Sequence, residues 1–292
     1  MSECSAVTAI VVTHNRADEL KLVIRALQAQ TVNLRSILVI DNASSLPATD
    51  ILKEFIGVEV IRSETNTGGA GGFAFGLGEA LKLDSEWIWM MDDDAVPRPN
   101  ALAALVAAAT LLPITTGALC SAVYEFDALA PMHRRTFGKY FGLELSIPTQ
   151  EYGNRYCEID TGSFVGFMVR SVAARAVGLP NADFFLSYDD TEYSLRLKSH
   201  LWSVWLVPGS KIDHLRGVGS RLRGVAFSAK HFYNIRNRLH TARHYSRFGV
   251  LAALVVGTLI WLMTKSPFKP KSINLFLRAI VDGCRGRLGA IR

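Results

Sequence analysis

Short apolar runs that end in polar residues constrain the fold of this chain more than any other feature. Three of them are AVTAIVVTHN (residues 6–15), SILVIDNAS (36–44) and WIWMM (87–91), which leads into three aspartates. Runs of this kind are typical of strands buried on both faces of a parallel sheet. Between the first two runs, residues 17–30 carry apolar side chains at helical spacing. This alternation predicts a doubly wound α/β fold with a mostly parallel sheet.

The polar residues at the strand ends indicate where a ligand binds. In open α/β sheets, ligands bind at the carboxyl ends of the strands. We therefore expect one edge of the sheet to collect Thr13, Asn15, Asp41, Asn42, Asp92 and Asp94. After Pro113 the pattern turns irregular, with strand-like segments at 120–127, 158–170 and 202–214 and helical segments at 171–180 and 184–200.

The three consecutive aspartates are the strongest chemical signal. Side chains in a strand alternate between its faces, so Asp92 and Asp94 share one side of an extended chain. Two carboxylates on one side suit a hard divalent cation such as Mg²⁺ or Mn²⁺, which can hold a diphosphate and neutralise its charge as it leaves. An exposed turn before a proline is the alternative. Asp93 either contacts a donor sugar or caps a turn.

A glycine-rich segment, NTGGAGGF at residues 66–73, follows the third predicted strand. Glycine allows positive φ and a close approach of a ligand to the backbone. A helix that begins there directs free N–H groups towards a phosphate. The segment is neither a Walker loop nor a GxGxxG after the first strand. A flexible turn before a helix is therefore the alternative.

A second acidic set, YDDTEYSLR at residues 188–196, contains Asp189 and Asp190. Acidic side chains favour a helix N-terminus, which explains one of the two without requiring both. The functional interpretation is a general base for an incoming hydroxyl. His214 follows a strand-like segment and is either a structural histidine or a third metal ligand.

The net charge of +6 conceals an asymmetry. Residues 221–292 contain 14 lysines and arginines and one acidic residue, a balance of +13, whereas the remainder has 18 basic and 25 acidic residues, a balance of −7. Within the basic part, residues 248–263 form an uncharged run of 16, which is shorter than the roughly 20 residues that a membrane span needs. Its basic flanks favour a helix lying in an anionic membrane interface. A buried core helix, a span and an oligomer contact are the alternatives.

Composition narrows the class of protein. With 49% hydrophobic and 20% charged residues the chain can bury a sizeable core. Its four cysteines form no CxxC pair, which argues against a zinc site or a disulfide framework and favours a reducing compartment. No signal peptide is expected. No aromatic stacking motif accompanies the basic part, so we expect no nucleic-acid partner.

Taken together, the motifs resemble those of inverting family 2 glycosyltransferases of the GT-A fold. The resemblance covers residues 6–217 and rests on VVTHNRADELKLVIRALQAQT, VIDNAS, ETNTGGAGGF, MDDDAVP and SYDDTEYSLR. GGAGGF with a triple aspartate is similar to the branch of bacterial galactofuranosyltransferases, and related rhamnosyltransferases share much of the pattern. The expected organisation is a GT-A (Rossmann-like) domain at residues 1–220 and a C-terminal helical membrane-associating region at 221–292. HFYNIRNRLH, residues 231–240, resembles these enzymes as well.

The resemblance implies a role for each matching position. Asp190 would be the catalytic base, because it precedes Arg196 by six residues as the family's base precedes its arginine. Many members have Glu-Asp where this chain has Asp189 and Asp190, as the galactofuranosyl branch does. Asp189 and Gly162 would lie on the acceptor side. The implied donor-binding residues are Thr13, Asn15, Arg16, Asp41, Asn42, Asn66, Gly68, Gly69, Gly71, Gly72, Asp92 and Asp93, and the implied metal ligands are Asp92, Asp94 and His214.

The expected activity is one displacement with inversion at the anomeric carbon. The donor would be a nucleotide-diphosphate sugar, UDP-galactofuranose ahead of dTDP-rhamnose, with Mn²⁺ or Mg²⁺ as cofactor. The acceptor would be a lipid-linked glycan in cell-surface polysaccharide synthesis, at the cytoplasmic face of the plasma membrane, where the protein would be peripheral or monotopic. A nucleotide-sugar-binding scaffold and a nucleotidyltransferase are other classes. The complete acidic and histidine set argues against the first, and the lack of a basic glycine-rich loop near the first strand argues against the second.

Overall fold

The computed structural model describes residues 6–215, 225–265 and 267–291. Its strands are β1 (Val7–Thr13), β2 (Ser36–Asp41), β3 (Val58–Arg62), β4 (Trp87–Asp92), β5 (Ala95–Pro97), β6 (Thr116–Glu125), β7 (Ala128–Leu129), β8 (Arg134–Phe137), β9 (Glu144–Ser146), β10 (Cys157–Ile159), β11 (Thr161–Gly162), β12 (Phe167–Arg170) and β13 (Ser203–His214). Its helices are α1 (Ala17–Gln28), α2 (Ala48–Ile51), α3 (Gly68–Ala80), α4 (Ala101–Leu111), α5 (Ser171–Val177), α6 (Asp189–Ser199), α7 (Ala229–Tyr245), α8 (Gly249–Leu262) and α9 (Pro270–Arg285).

A large mixed sheet organises the described part of the chain. Its strand order is β10-β13-β6-β12-β4-β1-β2-β3, with β5 added to β13 and β7 to β6. Strands β3, β2, β1 and β4 are parallel, as are β6 and β13, whereas β12 runs antiparallel between β4 and β6. A small sheet, β11-β8-β9, stands apart. The predicted doubly wound, mostly parallel sheet is confirmed.

The register of the parallel strands brings their polar ends to one level. Thr13 of β1 lies opposite Asp41 of β2, and Val12 lies opposite Asp92 of β4. Strands β1, β2 and β4 are otherwise mostly buried on both faces, because helices cover each side. The core on one face includes Leu20 and Leu105 from α1 and α4, and the core on the other face includes residues of α3, α5 and α6.

Glycines allow α3 to lie close to the sheet. A Cβ on Gly72 would stand 2.5 Å from a methyl group of Val12 in β1, and one on Gly76 would stand 2.8 Å from Ile40 in β2. Larger side chains would push the helix away from the strands. The close packing places the N-terminus of α3 beside the carboxyl ends of β1 and β2.

The helices α7, α8 and α9 pack around a separate apolar cluster that includes Phe232, Ile235 and Phe276. Within α8, Gly249, Ala253 and Gly257 are buried at a spacing of four residues, which is one face of a helix. None of the helices in the described ranges is both long and apolar enough to cross a membrane. The predicted domain boundary at residues 220–221 lies outside the described residues.

The opposite side of α8 is exposed and apolar. Leu251, Val255 and Leu259 are 67%, 54% and 53% exposed, and their spacing places them on one stripe. The turn between β8 and β9 reaches the start of this helix, since Phe248 donates its N–H to the Tyr140 carbonyl at 2.7 Å. We use "apolar face" for the exposed side chains of Tyr140, Phe141, Phe248, Leu251, Val255, Leu259 and Met263. Within the described ranges, one face of α8 is therefore packed in the core and the opposite face is exposed.

Candidate active site

The three aspartates stand at the end of β4 and are held from β1. Thr13 Oγ1 donates to Asp93 Oδ2 at 2.7 Å, and the His14 N–H donates to the same oxygen at 3.2 Å. Arg16 pairs with Asp94, and its guanidinium lies 3.5 Å from Asp93. Asp93 thus joins the ends of β1 and β4. This structural contact differs from both roles expected from the sequence, which were contact with a donor sugar and capping of a turn.

Asp92, Asp94 and His214 converge as the sequence predicts. Each offers one ligand atom, and the three atoms all lie within 4.8 Å of one another. His214 Nε2 is 3.3 Å from Asp94 Oδ1, because the end of β13 pairs with β5 and places His214 opposite Ala95. Two carboxylate oxygens and one imidazole nitrogen form a donor set that suits Mn²⁺ and, less closely, Mg²⁺.

The electrostatics of this cluster favour a bound cation. Burial raises the pKa of Asp92 to about 7, and the neighbouring charge of Asp94 adds to the rise. Burial also raises the pKa of Asp93 to about 6. Burial acts on Asp94 in the same direction, but His214 and Arg16 outweigh it and hold its pKa below the ordinary value. Crowded, buried carboxylates gain most from a divalent ion, so the residues present fit a metal.

A carboxylate behind His214 fixes its ring. His214 Nδ1 is 2.9 Å from Glu125 Oε1, and the same oxygen is 3.0 Å from His133 Nε2. The far nitrogen of His133 is 2.8 Å from Ser163 Oγ. An acidic partner of this kind orients a ligating histidine, and here it leaves Nε2 directed at Asp94. Sequence reasoning missed Glu125 and His133, because no local pattern marks them.

A cleft of about 530 Å³ opens beside the cluster. Its lining includes the predicted residues Thr13, Arg16, Asn42, Asn66, Gly68, Gly69, Asp92, Asp93, Asp94 and His214. His14, Phe185, Leu186 and Lys230 line it as well and were missed from the sequence. Phe185 and Leu186 reach the cleft from the loop before α6, a long-range contact that only the fold reveals.

Two asparagines shape the glycine turn at the start of α3. Asn42 Oδ1 accepts the N–H and the hydroxyl of Thr67, both at 3.0 Å, and Asn42 Nδ2 donates to the Gly68 carbonyl at 2.9 Å. Asn66 Oδ1 accepts the Gly68 N–H at 2.8 Å. Gly68 has a φ of +71°, and a Cβ there would stand 2.0 Å from the Phe185 carbonyl oxygen. Only glycine fits this position, which brings α3 and the loop before α6 together.

Apart from Asp189 and Asp190, five predicted residues lie outside the cleft lining. Asp41 is fully buried, and its carboxylate accepts the N–H groups of Ser44 and Ala48 at 2.8 and 3.0 Å and an Arg62 N–H at 2.7 Å. Asn15 accepts the Ser45 N–H at 2.7 Å. These two residues therefore order the loop after β2 and are not part of the cleft lining.

The other three are glycines in packed positions. Gly71 and Gly72 lie inside α3, against Thr67 and Val12. Gly162, in β11, is buried, and its N–H donates to Ser194 Oγ at 3.2 Å. Ser194 also donates to the Asp190 carbonyl at 2.8 Å. Gly162 therefore contacts α6, the helix that contains the predicted base.

Asp189 and Asp190 open α6 in different surroundings. Burial raises the pKa of Asp189 well above its ordinary value, and the charges of Asp190 and Asp92 raise it further. Asp190 lines a second cavity of about 310 Å³ and accepts the Thr191 N–H at 2.6 Å. Burial raises the pKa of Asp190 too, against the positive charge of Arg135. A carboxylate with a raised pKa suits a general base.

The loop before Asp190 forms a wall between the two cavities. Phe185, Ser187 and Tyr188 all have positive φ, at 63°, 69° and 71°, which costs free energy for residues other than glycine. Helix α7 holds this loop. Asn237 Nδ2 lies 2.8–3.0 Å from the carbonyl oxygens of Phe184, Leu186 and Ser187. The C-terminal helical part is therefore integral to the geometry around Asp190.

Arg236, the neighbour of Asn237, extends this support. It is 2% exposed and donates to the carbonyls of Asp183 and Phe184, at 3.2 and 2.9 Å, and to that of Gly289 at 2.6 Å. Its Nε donates to Asn237 Oδ1 at 2.8 Å. The two side chains thus fix both each other and the loop.

Comparisons with known proteins agree with this geometry. The model of the family "Glycosyl transferase family 2" matches residues 8–175. The chain is 30% identical over 198 residues to galactofuranosyltransferase GlfT1 of Mycobacterium tuberculosis (strain ATCC 25618 / H37Rv), which is 66% of this chain and 64% of that protein. The chain thus matches just under two thirds of the length of that relative. It is 24% identical over 99% of its length to the dTDP-rhamnosyl transferase RfbF of Shigella flexneri, covering 98% of that protein.

Solved structures share the fold. The mannosyltransferase PcManGT from Pyrobaculum calidifontis, in complex with GDP-Man and Mn²⁺, superposes with a TM-score of 0.63 at 13% identity and covers 98% of this chain and 88% of that one. GalNAc-T7 with UDP, GalNAc and Mn²⁺ gives a TM-score of 0.64 at 17% identity, over 81% of this chain and 47% of that one. From the family match over more than half of its length, the chain belongs to glycosyl transferase family 2 and is a glycosyltransferase.

Proposed function

We propose that the protein transfers galactofuranose from UDP-galactofuranose to a lipid-linked glycan acceptor, with inversion at the anomeric carbon. One observation carries this proposal. Asp190 lines a polar cavity, and the loop before it, residues 185–188, borders both that cavity and the cleft that contains the candidate metal ligands. A base in that position reaches a donor on one side and an acceptor on the other. The similarity to GlfT1 favours galactofuranose as the transferred sugar.

The residues of the cleft suit a nucleotide-diphosphate sugar. Arg16 supplies a cation beside the aspartates, and the N-terminus of α3 reaches the cleft at Gly69, a setting that favours phosphate. Asp92, Asp94 and His214 would hold Mn²⁺ or Mg²⁺, which neutralises charge on a leaving diphosphate. Asn42 and Asn66 hold the glycine turn in place.

The reaction needs one displacement. Asp190 accepts the proton of the acceptor hydroxyl, and the oxygen attacks the anomeric carbon from the face opposite the diphosphate. The new C–O bond forms as the bond to the diphosphate breaks, and the nucleoside diphosphate takes the electron pair. Residues 185–188 lie between the cleft and the cavity that Asp190 lines.

A membrane position is part of the proposal. The apolar face exposes large side chains from α8 and from the turn between β8 and β9, and Phe141 and Phe248 meet there with ring centres 6.1 Å apart. Lys139, Arg247, Lys265 and Lys269 lie next to these segments along the chain and are exposed. Apolar side chains with basic neighbours suit the interface of an anionic bilayer. We place the protein peripherally on the cytoplasmic face of the plasma membrane, where it would serve cell-surface polysaccharide synthesis.

A dTDP-rhamnose donor is the second candidate, because the match to RfbF extends over 99% of the chain. A screen of UDP- and dTDP-sugars separates the two. Release of nucleoside diphosphate would be measured with Mn²⁺, with Mg²⁺ and with EDTA, in the presence and absence of glycoside acceptors. Selective, cation-dependent release from UDP-galactofuranose supports the proposal, whereas selective release from dTDP-rhamnose replaces it. Binding of a nucleotide sugar with no release under any condition identifies a scaffold.

A further inference from the structure

The cavity that Asp190 lines is strongly polar and is built from both parts of the chain. Arg135 and Glu144 reach it from β8 and β9, and Asn234 and Arg238 reach it from α7. Its volume of about 310 Å³ lies at the small end of the range of ligand pockets. Asp190 lies among these side chains, so an acceptor hydroxyl bound there reaches the base directly.

The charges in this cavity are already balanced. Arg135 forms an ion pair with Glu144, whose side chain is 5% exposed, and Arg238 Nη1 lies 3.6 Å from the same carboxylate. Tyr188 donates its hydroxyl to Glu144 as well. The Arg238 guanidinium carbon lies 5.0 Å from the centre of the Tyr188 ring. Two guanidiniums face the carboxylates of Glu144 and Asp190, so a phosphate would have to compete for cations that are already paired.

Two buried polar atoms of the side chains that line the cavity lack a partner. Among the described residues, Asn234 Oδ1 and Arg238 Nε form no hydrogen bond. One is an acceptor and the other is a donor, and a buried polar atom without a partner is costly. A sugar hydroxyl both donates and accepts. It can therefore pair with an acceptor and with a donor, whereas a fully ionised phosphate only accepts.

We propose that this cavity binds the uncharged sugar ring that receives the transferred residue, with Asn234 and Arg238 of α7 as its recognition residues. The inference rests on the proposed glycosyl transfer and adds the class of acceptor group. It also gives α7 a role in substrate binding in addition to its support of the loop before Asp190.

The test compares Asn234→Leu and Arg238→Met, which remove the polar atoms and keep the size, with Asn274→Leu and Arg285→Met. Asn274 and Arg285 are exposed on α9 and serve as matched controls. The probes are octyl galactofuranoside and octyl rhamnoside as neutral acceptors, and octyl phosphate as an anion. Each variant is assayed for donor release without acceptor, for the acceptor KM and for inhibition by octyl phosphate.

Loss of one buried hydrogen bond corresponds to about a tenfold change. We expect each cavity variant to raise the KM for the neutral glycosides about tenfold relative to wild type. The control variants should match wild type. An unchanged acceptor KM in both cavity variants overturns the inference. The inference is also overturned if octyl phosphate inhibits the wild type, loses this inhibition in the cavity variants, and the glycosides do not bind.

Failure of the proposed function gives a different result. In that case the wild type releases no nucleoside diphosphate from any donor, and the variants are compared by the binding of the octyl glycosides in saturation-transfer NMR. If Asn234→Leu or Arg238→Met disturbs folding, Asn234→Ala and Arg238→Ala take their place, because both also remove the two polar atoms. A glycoside signal that does not change in these variants rejects the cavity as the sugar site.

Discussion

The side-chain amide of Asn237 donates to the backbone carbonyl of Ser187 at 2.8 Å, three residues before Asp190. The same amide nitrogen serves two further carbonyls of this loop. Asn237 is fully buried, so water cannot replace these bonds. The conformation of the loop and the position of α7 are therefore coupled through one side chain.

We expect Asn237→Ala to lower kcat at least tenfold. The substitution leaves buried carbonyls without a donor and should lower the free energy of unfolding by about 1–3 kcal/mol. It also lets the left-handed residues of the loop relax, which displaces Asp190. Urea denaturation and steady-state kinetics check both effects, with the exposed Asn274→Ala as control. A loss of stability with unchanged kcat would show that the position of Asp190 does not depend on the hydrogen bonds from Asn237.

Asp190→Asn should reduce transfer by about 100- to 10,000-fold and leave cation-dependent donor binding in place. In the wild type the base must be deprotonated. Because burial raises the pKa of Asp190, kcat should fall on acidification at a higher pH than an ordinary aspartate, with a pKa near 3.9, would give. The pH profile of kcat and nucleotide calorimetry are the measurements. Transfer that persists in the asparagine variant assigns the base elsewhere.

Asp94→Asn and Arg16→Gln should shift Mn²⁺ binding in opposite directions. The first removes a ligand charge and should abolish cation-dependent nucleotide binding. The second removes the guanidinium that pairs with Asp94 and should strengthen Mn²⁺ binding to the free protein several-fold, while it weakens donor binding. Calorimetric titration with MnCl₂, with and without nucleoside diphosphate, measures both. Equal Mn²⁺ affinity in the wild type and the two variants would show that Asp94 is not a metal ligand.

Glu125→Gln should weaken Mn²⁺ binding about 10- to 100-fold, because His214 loses the carboxylate that orients its ring. The readout is Mn²⁺ affinity by electron paramagnetic resonance, which does not depend on turnover. Glu59→Gln, at an exposed position of β3, is the matched control. If the two variants bind Mn²⁺ alike, the orientation of His214 does not depend on Glu125.

The triple variant Leu251→Glu, Val255→Glu and Leu259→Glu should lose association with vesicles that contain anionic lipid. Each apolar side chain of this size contributes about 1.5–3 kcal/mol when it is buried, so the loss should exceed tenfold. Vesicle flotation measures it. The control is the triple Ile56→Glu, Ile114→Glu and Leu201→Glu, whose sites are 92%, 74% and 86% exposed in other parts of the protein. Equal loss in both would indicate general charge repulsion.

Local pattern was sufficient for the first half of the fold. The apolar runs predicted β1, β2 and β4, and their polar ends predicted the edge where Asp92, Asp94 and His214 meet. The C-terminal apolar segment also forms a helix, α8, although one of its faces packs on α7. These strands and α8 could be predicted because they depend mainly on how each residue relates to its near neighbours along the chain.

The remainder of the site depends on contacts between distant segments. Glu125 reaches His214 across 89 positions of the chain, and Asn237 reaches the loop before α6 across about 50. Asp41 shows the opposite case. Its strand-end position matched the expectation for a donor-binding residue, yet its carboxylate is fully used by Ser44, Ala48 and Arg62. A sequence does not reveal which strand-end polar groups are already satisfied.

If Asp94 is a metal ligand as proposed, its pair with Arg16 would make the loading of this enzyme an exchange of counter-ions. The Arg16 guanidinium pairs with the carboxylate that the metal would need. A metal bound to Asp94 would free Arg16 to bind a second negative group in the cleft. Because coupling between two ligands is reciprocal, a diphosphate that captures Arg16 also makes Asp94 more available to the metal. The cation and the nucleotide would then bind cooperatively, and Arg16 would couple the two binding events.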